Sequence, residues 1–259
     1  MDDLAAVLAF YEERDEATRL DAREGWIEGQ RIRALLSPRL PGSPIRVLDV
    51  GGGPGAHATW LTALGHDVRL LDVVPAHVEA ARAAGLDAAV GDARDLGVPA
   101  SSVDVVLLLG PLYHLVDATD RARCLSEARR VLRADGWLAV TAVTRAGLAL
   151  HQVRTRDDSD PEVAEAVARV IEHGHDPLDD EPVFHCHRVD ELRDELAAAG
   201  FDVERVHGLE GPAWPLLDLD ATATDPVAAR VLALAEAFDD DPSLVGASAH
   251  LLAIAHARD

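Results

Sequence analysis

A glycine-rich turn directly after an apolar segment is the feature that most constrains the fold of this chain. Val47-Leu48-Asp49-Val50 reads as a buried strand, and Gly51-Gly52-Gly53-Pro54-Gly55 follows it. Glycine tolerates positive φ and lets backbone N–H groups approach a ligand closely. A helix predicted over residues 56–64 presents its N-terminus, which attracts anions, to the same place. The segment therefore predicts a strand, a nucleotide-cofactor loop and a helix in succession.

An acidic residue at a suitable distance supports this prediction. Residues 68–71 form a second apolar segment, which ends at Asp72, 21 residues beyond Gly51. A carboxylate at the tip of the second strand can accept hydrogen bonds from both ribose hydroxyls of an adenosine cofactor. The spacing by itself also fits a nicotinamide dinucleotide enzyme.

Apolar segments of strand length alternate with helical segments from residue 45 onward. Strands are predicted over residues 45–50, 68–71, 88–90, 103–109 and 137–143, and helices over 56–64, 75–84 and 120–132. Two more helices are predicted within residues 4–36, and Arg133-Ala134-Asp135-Gly136 is predicted as the loop before the fifth strand. Right-handed β-α-β units build a doubly wound sheet that binds ligands at the carboxyl ends of its strands. The sequence therefore predicts a Rossmann-like α/β fold.

The chain changes character after residue 150. Residues 151–187 combine an Asp-rich run, a helix over 161–172 and a stretch rich in Asp and Pro, which is typical of an insertion over the strand tips. A helix over 189–199, a strand over 201–206, a helix over 226–238 and a strand over 250–256 follow. We expect a single domain over residues 1–259. Within it, 1–40 form a helical cap, 45–145 the cofactor-binding core, 151–187 a helical lid and 188–259 the rest of the sheet.

Composition restricts the partners and the compartment. The formal net charge is -22, which repels polyphosphate and makes nucleic acid a poor default partner. No apolar run approaches the roughly 20 residues that span a bilayer, and the chain starts with acidic residues where a secretory signal is basic. Two cysteines, Cys124 and Cys186, suggest neither a disulfide framework nor a thiolate metal site. We expect a cytoplasmic protein without a membrane partner.

Three further segments narrow the choice of cofactor. Asp49 precedes the glycines, where its carboxylate can organise the loop and face a cationic amino-acid group. Gly91-Asp92-Ala93-Arg94 follows the third strand, where an Asp can accept from an adenine amino group. Leu109-Gly110-Pro111-Leu112-Tyr113-His114 leaves the fourth strand with polar groups that can reach a substrate. Together these residues resemble the class I S-adenosylmethionine-dependent methyltransferases, and among them the bacterial small-molecule enzymes with Gly-Asp-Ala-Arg and Gly-Pro-Leu-Tyr-His-Leu segments.

The resemblance implies a mostly parallel, seven-stranded sheet whose last, antiparallel strand lies next to the fifth. It also implies S-adenosylmethionine as the cofactor and S-adenosylhomocysteine as the product. Arg19 can reach the carboxylate of the cofactor with its guanidinium group, and the alternative interpretation is a surface position on a helix. The implied cofactor-binding residues are Arg19, Asp49, Gly51, Gly52, Gly53, Gly55, Asp72, Val73, Asp92, Ala93, Arg94, Leu109 and Gly110.

Methyl transfer from a sulfonium is an in-line displacement, so the protein mainly aligns the reactants and excludes water. A base is needed only for an acceptor that carries a proton, and histidine suits that task. His114 is the first candidate, because the fourth strand should aim it at the sulfonium, and Tyr113 can orient the acceptor. The alternative for His114 is a bond to backbone that caps its loop.

A second group of candidates lies in the lid. His185-Cys186-His187 alternates two histidines, which suits either a substrate pocket or structural hydrogen bonds, and no metal is expected there. Glu210 and Trp214 follow the sixth strand and can bring an acid and an aromatic ring to the mouth of the pocket. Cys124 lies on an apolar helix face and is expected in the core.

These observations favour methyl transfer to oxygen or nitrogen of a small molecule, with carbon the less favoured atom. Many enzymes that methylate amino groups of nucleobases or protein glutamine have an Asn-Pro-Pro-Tyr-like segment after the fourth strand. This chain has none there, so that class of acceptor is less favoured. The alternatives are a nicotinamide-dependent oxidoreductase and a non-catalytic S-adenosylmethionine-binding protein. Methylation of RNA conflicts with the acidic charge.

Overall fold

A computed structural model describes residues 3–12, 16, 25–155, 161–175, 184–217 and 225–258. Within them, eight strands form one sheet in the order β3-β2-β1-β4-β5-β8-β7, and the short β6 pairs with β5. The strands are β1 (Arg46–Val50), β2 (Asp67–Asp72), β3 (Asp87–Val90), β4 (Val103–Leu108), β5 (Leu132–Thr144), β6 (Cys186–His187), β7 (Phe201–Gly208) and β8 (His250–Ala257).

Helices cover both faces of this sheet. The described helices are α1 (Asp3–Glu12), α2 (Gly25–Leu36), α3 (Ala56–Ala63), α4 (Pro75–Ala83), α5 (Pro111–His114), α6 (Ala118–Val131), α7 (Arg145–Thr155), α8 (Pro161–His173), α9 (Val189–Ala198) and α10 (Pro226–Ala237). Within the described chain, no helix is both long and apolar enough to cross a membrane.

The strand order places a crevice between β1 and β4. β1 pairs in parallel with β2 on one side and with β4 on the other. The chain therefore winds outward in both directions from β1, and the crevice at such a reversal is where open α/β sheets bind ligands. The predicted Rossmann-like α/β fold with N-terminal helices is confirmed.

Two apolar cores lie on opposite faces of the sheet, and β4 contributes to both. Val106 and Leu108 belong to one core, together with residues of α6 and α9, while Val105 and Leu107 belong to the other, with residues of α3 and α4. Successive side chains of a strand point to opposite faces, so a strand covered on both sides is apolar throughout. Cys124 is fully buried in the first core, as predicted.

The sheet differs from the prediction in two places. The expectation of seven strands is wrong by one, because β6 adds two residues beside the end of β5, where Cys186 pairs with Val143. The predicted loop at Arg133-Ala134-Asp135-Gly136 lies instead inside β5, which starts at Leu132. The pairing of β4 with β5 shifts register between Val103 and Val105, and such an irregularity absorbs turn-like residues within a strand.

The last strands have the arrangement that the resemblance implied. β8 is antiparallel to both β5 and β7, so it lies between them in the sheet. β7 consequently runs in the same direction as β1 to β5. The carboxyl end of β7 and the amino end of β8 therefore reach the edge of the sheet at which the crevice opens.

Candidate active site

A cavity with about 530 Å³ of unfilled space, partly open to solvent, lies at the carboxyl ends of β1, β2 and β4. Its walls come from α1, the glycine turn, the tip of β2, α4 and the segment after β4. The lining residues are Tyr11, Glu16, Asp49, Gly51, Gly52, Gly53, Pro54, Ala56, His57, Asp72, His77, Leu109, Gly110 and Tyr113. Eight of the residues predicted for the site thus lie together.

The glycine turn has room for backbone only. Gly51 has a φ of +67°, and a Cβ there would lie 2.3 Å from the side chain of Pro111. A Cβ on Gly52 would lie 2.7 Å from Oδ2 of Asp49. Gly55, directly before α3, has a φ of +98°, and a Cβ there would lie 2.3 Å from the side chain of Leu86. It does not line the cavity. A side chain at any of these positions would displace its neighbours, so the turn keeps its backbone exposed to a ligand.

Asp49 is the most unusual group in the cavity wall. Its side chain is fully buried, and neither carboxylate oxygen has a hydrogen-bond partner among the described residues. Burial and the charge of Asp72 raise the pKa of Asp49 to about 7, and the Ala58 backbone N–H, which lies nearby without forming a hydrogen bond of good geometry, offsets only part of this rise. Buried polar groups are nearly always satisfied, so an unsatisfied acid facing a cavity suits a ligand that brings a cation or a donor.

Asp72 holds the turn against the second strand. One of its oxygens accepts the Gly53 N–H at 2.7 Å, and the other accepts the Val74 N–H at 2.8 Å. Nδ1 of His77 lies 3.3 Å from the latter oxygen. The carboxylate therefore sits at a fixed position in the cavity wall. Val73 is half-buried next to it and lies outside the lining.

The Gly-Asp-Ala-Arg segment lies outside the lining residues. Arg94 donates to both carboxylate oxygens of Asp92 and, at 2.6 Å, to Asp120. Partial burial would raise the pKa of Asp92, but the hydrogen bonds and the charge of Arg94 hold it below its usual range. Ala93 packs into the core. Arg94 thus has partners within the protein, and Arg19 lies outside the described residues.

Tyr113 and His114 lie on α5, directly after β4. Tyr113 lines the cavity, and Nε2 of His114 lies 2.9 Å from the hydroxyl of Tyr11. The rings of Phe10 and Phe184 lie 5.8 and 5.1 Å from the His114 ring. α1 and Phe184 therefore meet α5 in an aromatic cluster.

His185 and His187 lie behind Tyr113, outside the lining. The His185 N–H donates to the Tyr113 carbonyl at 2.8 Å. Nε2 of His185 lies 3.0 Å from Glu191, and Nε2 of His187 lies 3.3 Å from Glu195. Burial lowers the pKa of His185, against the opposing effect of its hydrogen bond to Glu191.

The atoms of His185, His187 and Glu195 lie within 4.8 Å of one another, close enough for a metal ion. Arg121 also lies 2.8 Å from Glu195, so a cation already faces this carboxylate. The cluster is held by hydrogen bonds from Arg121 and His187 to Glu195, and the His185 backbone N–H ties it to Tyr113 of α5.

Sequence reasoning missed Tyr11, Glu16, His57 and His77 as lining residues. The scarcity of tyrosine was an available signal for Tyr11. The chain has two tyrosines, Tyr113 was already a candidate, and both line the cavity. Trp214, predicted at the pocket mouth, is buried and donates its indole N–H to the Ala247 carbonyl at 3.2 Å. Packing, rather than contact with the pocket, is its role in the described structure.

Comparisons with known proteins agree with this geometry. Residues 48–140 match the methyltransferase domain family. An uncharacterized methyltransferase of Mycobacterium tuberculosis is 38% identical over 108 residues, which are 41% of this chain and 43% of that protein. The ubiquinone/menaquinone biosynthesis C-methyltransferase UbiE of Acidiphilium cryptum is 35% identical over 129 residues, 46% of this chain and 49% of that protein. The chain thus spans less than half the length of these curated relatives.

Solved structures extend the likeness beyond this segment. The S-adenosylmethionine-dependent methyltransferase from Mesorhizobium loti is similar to this chain with a TM-score of 0.59 at 20% identity, over 89% of this chain and 99% of that one. At this identity the likeness shows the fold. The family match and the fold together support the class I S-adenosylmethionine-dependent methyltransferase superfamily and indicate S-adenosylmethionine as the cofactor.

Proposed function

We propose that this chain transfers the methyl group of S-adenosylmethionine to a small-molecule acceptor and releases S-adenosylhomocysteine. The observation that carries the proposal is the buried Asp49 carboxylate, which lacks a partner among the described residues and faces the cavity. S-adenosylmethionine has an ammonium group and a sulfonium, and both are attracted to such a carboxylate. The turn at Gly51 and Gly52, which has no space for a Cβ, supports the same fit.

Each part of the cofactor has a matching group. Asp49 would face the ammonium of the methionine portion, and Asp72 would accept from the ribose hydroxyls. Leu109, Gly110 and Tyr113, which also line the cavity, would lie near the sulfonium. Asp92 would accept from the adenine amino group after a rearrangement of Arg94. When bound, the cofactor supplies an electrophilic methyl group.

The chain's own residues would align the acceptor and exclude water. Tyr113 lines the cavity, while Tyr11, Phe10 and Phe184 close the space around His114. His114 and Tyr113 would contact the acceptor, and His185 would hold α5 in place through the backbone of Tyr113. His187 would support the neighbouring segment through Glu195. In-line displacement depends mainly on such alignment.

A small, uncharged or cationic acceptor fits this site best. Glu16, Asp49 and Asp72 line the cavity, and the chain carries a net charge of -22, so a polyanionic nucleic acid would be repelled. Oxygen and nitrogen acceptors remain our proposal. The relative UbiE is named a C-methyltransferase, so carbon acceptors should be tested as well. Both cysteines are free thiols in the structure, which suits a reducing compartment, so we propose that the protein is cytoplasmic.

A thermal-shift experiment tests the proposed cofactor. S-adenosylhomocysteine at about 100 times its Kd should stabilise the protein by about 2.7 kcal/mol, which raises the Tm by about 5–10 °C for a chain of this size. NAD at the same concentration should leave the Tm unchanged. Stabilisation by NAD alone would establish the oxidoreductase alternative and overturn the proposal.

A further inference from the structure

Tyr11, on α1, lies where two sides of the cavity meet. The side that we propose for the cofactor includes Asp72 and, on α4, His77. The side that we propose for the acceptor is formed by Tyr113 and His114 on α5. Tyr11 contacts a histidine on each of these sides. Three separate helices, α1, α4 and α5, therefore converge on this one side chain.

The ring of Tyr11 packs against His77. The two ring centroids lie 5.1 Å apart at an interplanar angle of 78°, an edge-to-face arrangement that aromatic rings favour. Nδ1 of His77 lies 3.3 Å from Oδ1 of Asp72, and both side chains are nearly buried. Because Tyr11 restricts the His77 ring, it also helps to fix the carboxylate that we propose for the ribose hydroxyls.

The hydroxyl of Tyr11 acts on the acceptor side. It lies 2.9 Å from Nε2 of His114, whose side chain is buried. The described lining of the cavity includes Tyr113 but not His114, and the rings of these two neighbours lie 4.8 Å apart. A bond that fixes the His114 ring therefore also fixes the position of Tyr113 in the cavity wall.

We propose that Tyr11 is a positioning residue for both sides of the cavity, with its ring acting through His77 and its hydroxyl acting through His114; this inference rests on the proposed function. The ring holds the Asp72 carboxylate ready for the ribose, and the hydroxyl holds Tyr113 ready for the acceptor. α1 is therefore part of the active site rather than only a cap outside it.

The first test separates the ring from the hydroxyl. Calorimetric titration with S-adenosylhomocysteine compares the wild type with Tyr11→Phe and Tyr11→Leu. Tyr11→Phe keeps the ring and should bind with the wild-type Kd, whereas Tyr11→Leu should bind about 3-fold to 10-fold more weakly, which is what an aromatic pair contributes. Equal Kd values for Tyr11→Leu and the wild type would overturn the role of the ring.

A double-mutant cycle tests whether the ring acts through His77. His77→Ala should weaken the binding of S-adenosylhomocysteine, because Asp72 loses a neighbour. Tyr11→Leu combined with His77→Ala should then bind with the same Kd as His77→Ala alone, since two residues that act as a unit are not additive. Further weakening in the double variant would show that Tyr11 affects the cofactor by another route, and would overturn the positioning through His77.

The adjacent residue of α1 provides a matched control. The ring of Phe10 packs against Phe184 with centroids 5.1 Å apart, so Phe10→Leu also removes aromatic packing from α1. This variant should bind S-adenosylhomocysteine with the wild-type Kd, and urea unfolding checks that every variant is folded. A loss of affinity as large as that of Tyr11→Leu would mean that looser docking of α1, rather than the contact with His77, weakens binding.

The second test examines the hydroxyl and needs no acceptor. In nitrogen-15 NMR of the histidine rings, Tyr11→Phe should move the Nε2 resonance of His114 and leave those of His77 unchanged. Tyr11→Leu should move the resonances of both rings. An unchanged His114 resonance in Tyr11→Phe would overturn the role of the hydroxyl.

Transfer of label completes the test. With S-adenosylmethionine labelled in its methyl group and a cell extract freed of macromolecules, Tyr11→Phe should transfer label about 10-fold more slowly than the wild type, because misplaced reactants lose rate. Transfer at the wild-type rate would contradict the proposal. Failure of the wild type to bind S-adenosylhomocysteine would count against the proposed function instead, and the histidine resonances would still decide which rings Tyr11 positions.

Discussion

The two sides of the crevice are built in different ways. On the cofactor side, Asp49 and Asp72 stand at the ends of adjacent strands, and the glycine turn lies directly between β1 and α3. On the side that we propose for the acceptor, Tyr11 and Tyr113 come from segments separated by more than 100 residues along the chain. The first side depends on local backbone geometry, and the second depends on long-range packing.

Charge is also handled differently on the two sides. The cofactor side leaves Asp49 without a partner among the described residues, whereas the acceptor side pairs His185, His187 and His250 each with a glutamate. An unsatisfied buried charge destabilises the free protein and favours a ligand that satisfies it. We infer that the cofactor side is completed by binding, while the acceptor side is organised beforehand.

Replacement of Asp72 should give the largest change in binding and tests the cofactor side. Asp72→Ala removes the tie to Gly53 and the proposed acceptor for two ribose hydroxyls, so S-adenosylhomocysteine should bind more weakly by roughly 2–4 kcal/mol. Calorimetric titration measures the change. Asp67→Ala, at the exposed start of the same strand, should bind like the wild type. A normal Kd for Asp72→Ala would remove Asp72 from the site.

Replacement of Asp49 should stabilise the free protein, increasingly so as the pH rises. The pKa of Asp49 is about 7 against an ordinary value of 3.8, so its contribution to stability is present in acid and is lost as the pH rises to about 7. Relative to the wild type, Asp49→Asn should gain roughly 2–3 kcal/mol in unfolding free energy between pH 5 and pH 8. Urea unfolding without ligand measures this gain. A difference in unfolding free energy between the variant and the wild type that does not change with pH would contradict the raised pKa of Asp49.

The smallest effect is expected where the two sides meet. The Tyr11 hydroxyl bonds His114 across α1 and α5, and Tyr11 also lines the cavity. Tyr11→Phe should lower the unfolding free energy by about 0.5–1.5 kcal/mol with little change in cofactor affinity. A large loss of S-adenosylhomocysteine binding would mean that α1 belongs to the cofactor side.

The same contrast explains what could be predicted from the sequence. The glycine turn and Asp72 are recognisable because their spacing follows from strand and helix lengths, and eight predicted residues do line one cavity. The contact between Glu210 and His250 could not be predicted from spacing, because it joins side chains 40 positions apart through the pairing of β7 with β8. β6 and the start of β5 were missed because two-residue pairing and a register shift leave no periodic pattern. The role of His114 as a base stays a prediction.

A crystal structure of the protein with S-adenosylhomocysteine tests the central claim most directly. The account predicts ribose hydroxyls within hydrogen-bond distance of Asp72, the ammonium facing Asp49, and the sulfur directed toward Gly110 and Tyr113. An empty crevice at millimolar ligand, or a sulfur pointing away from Tyr113, would contradict it.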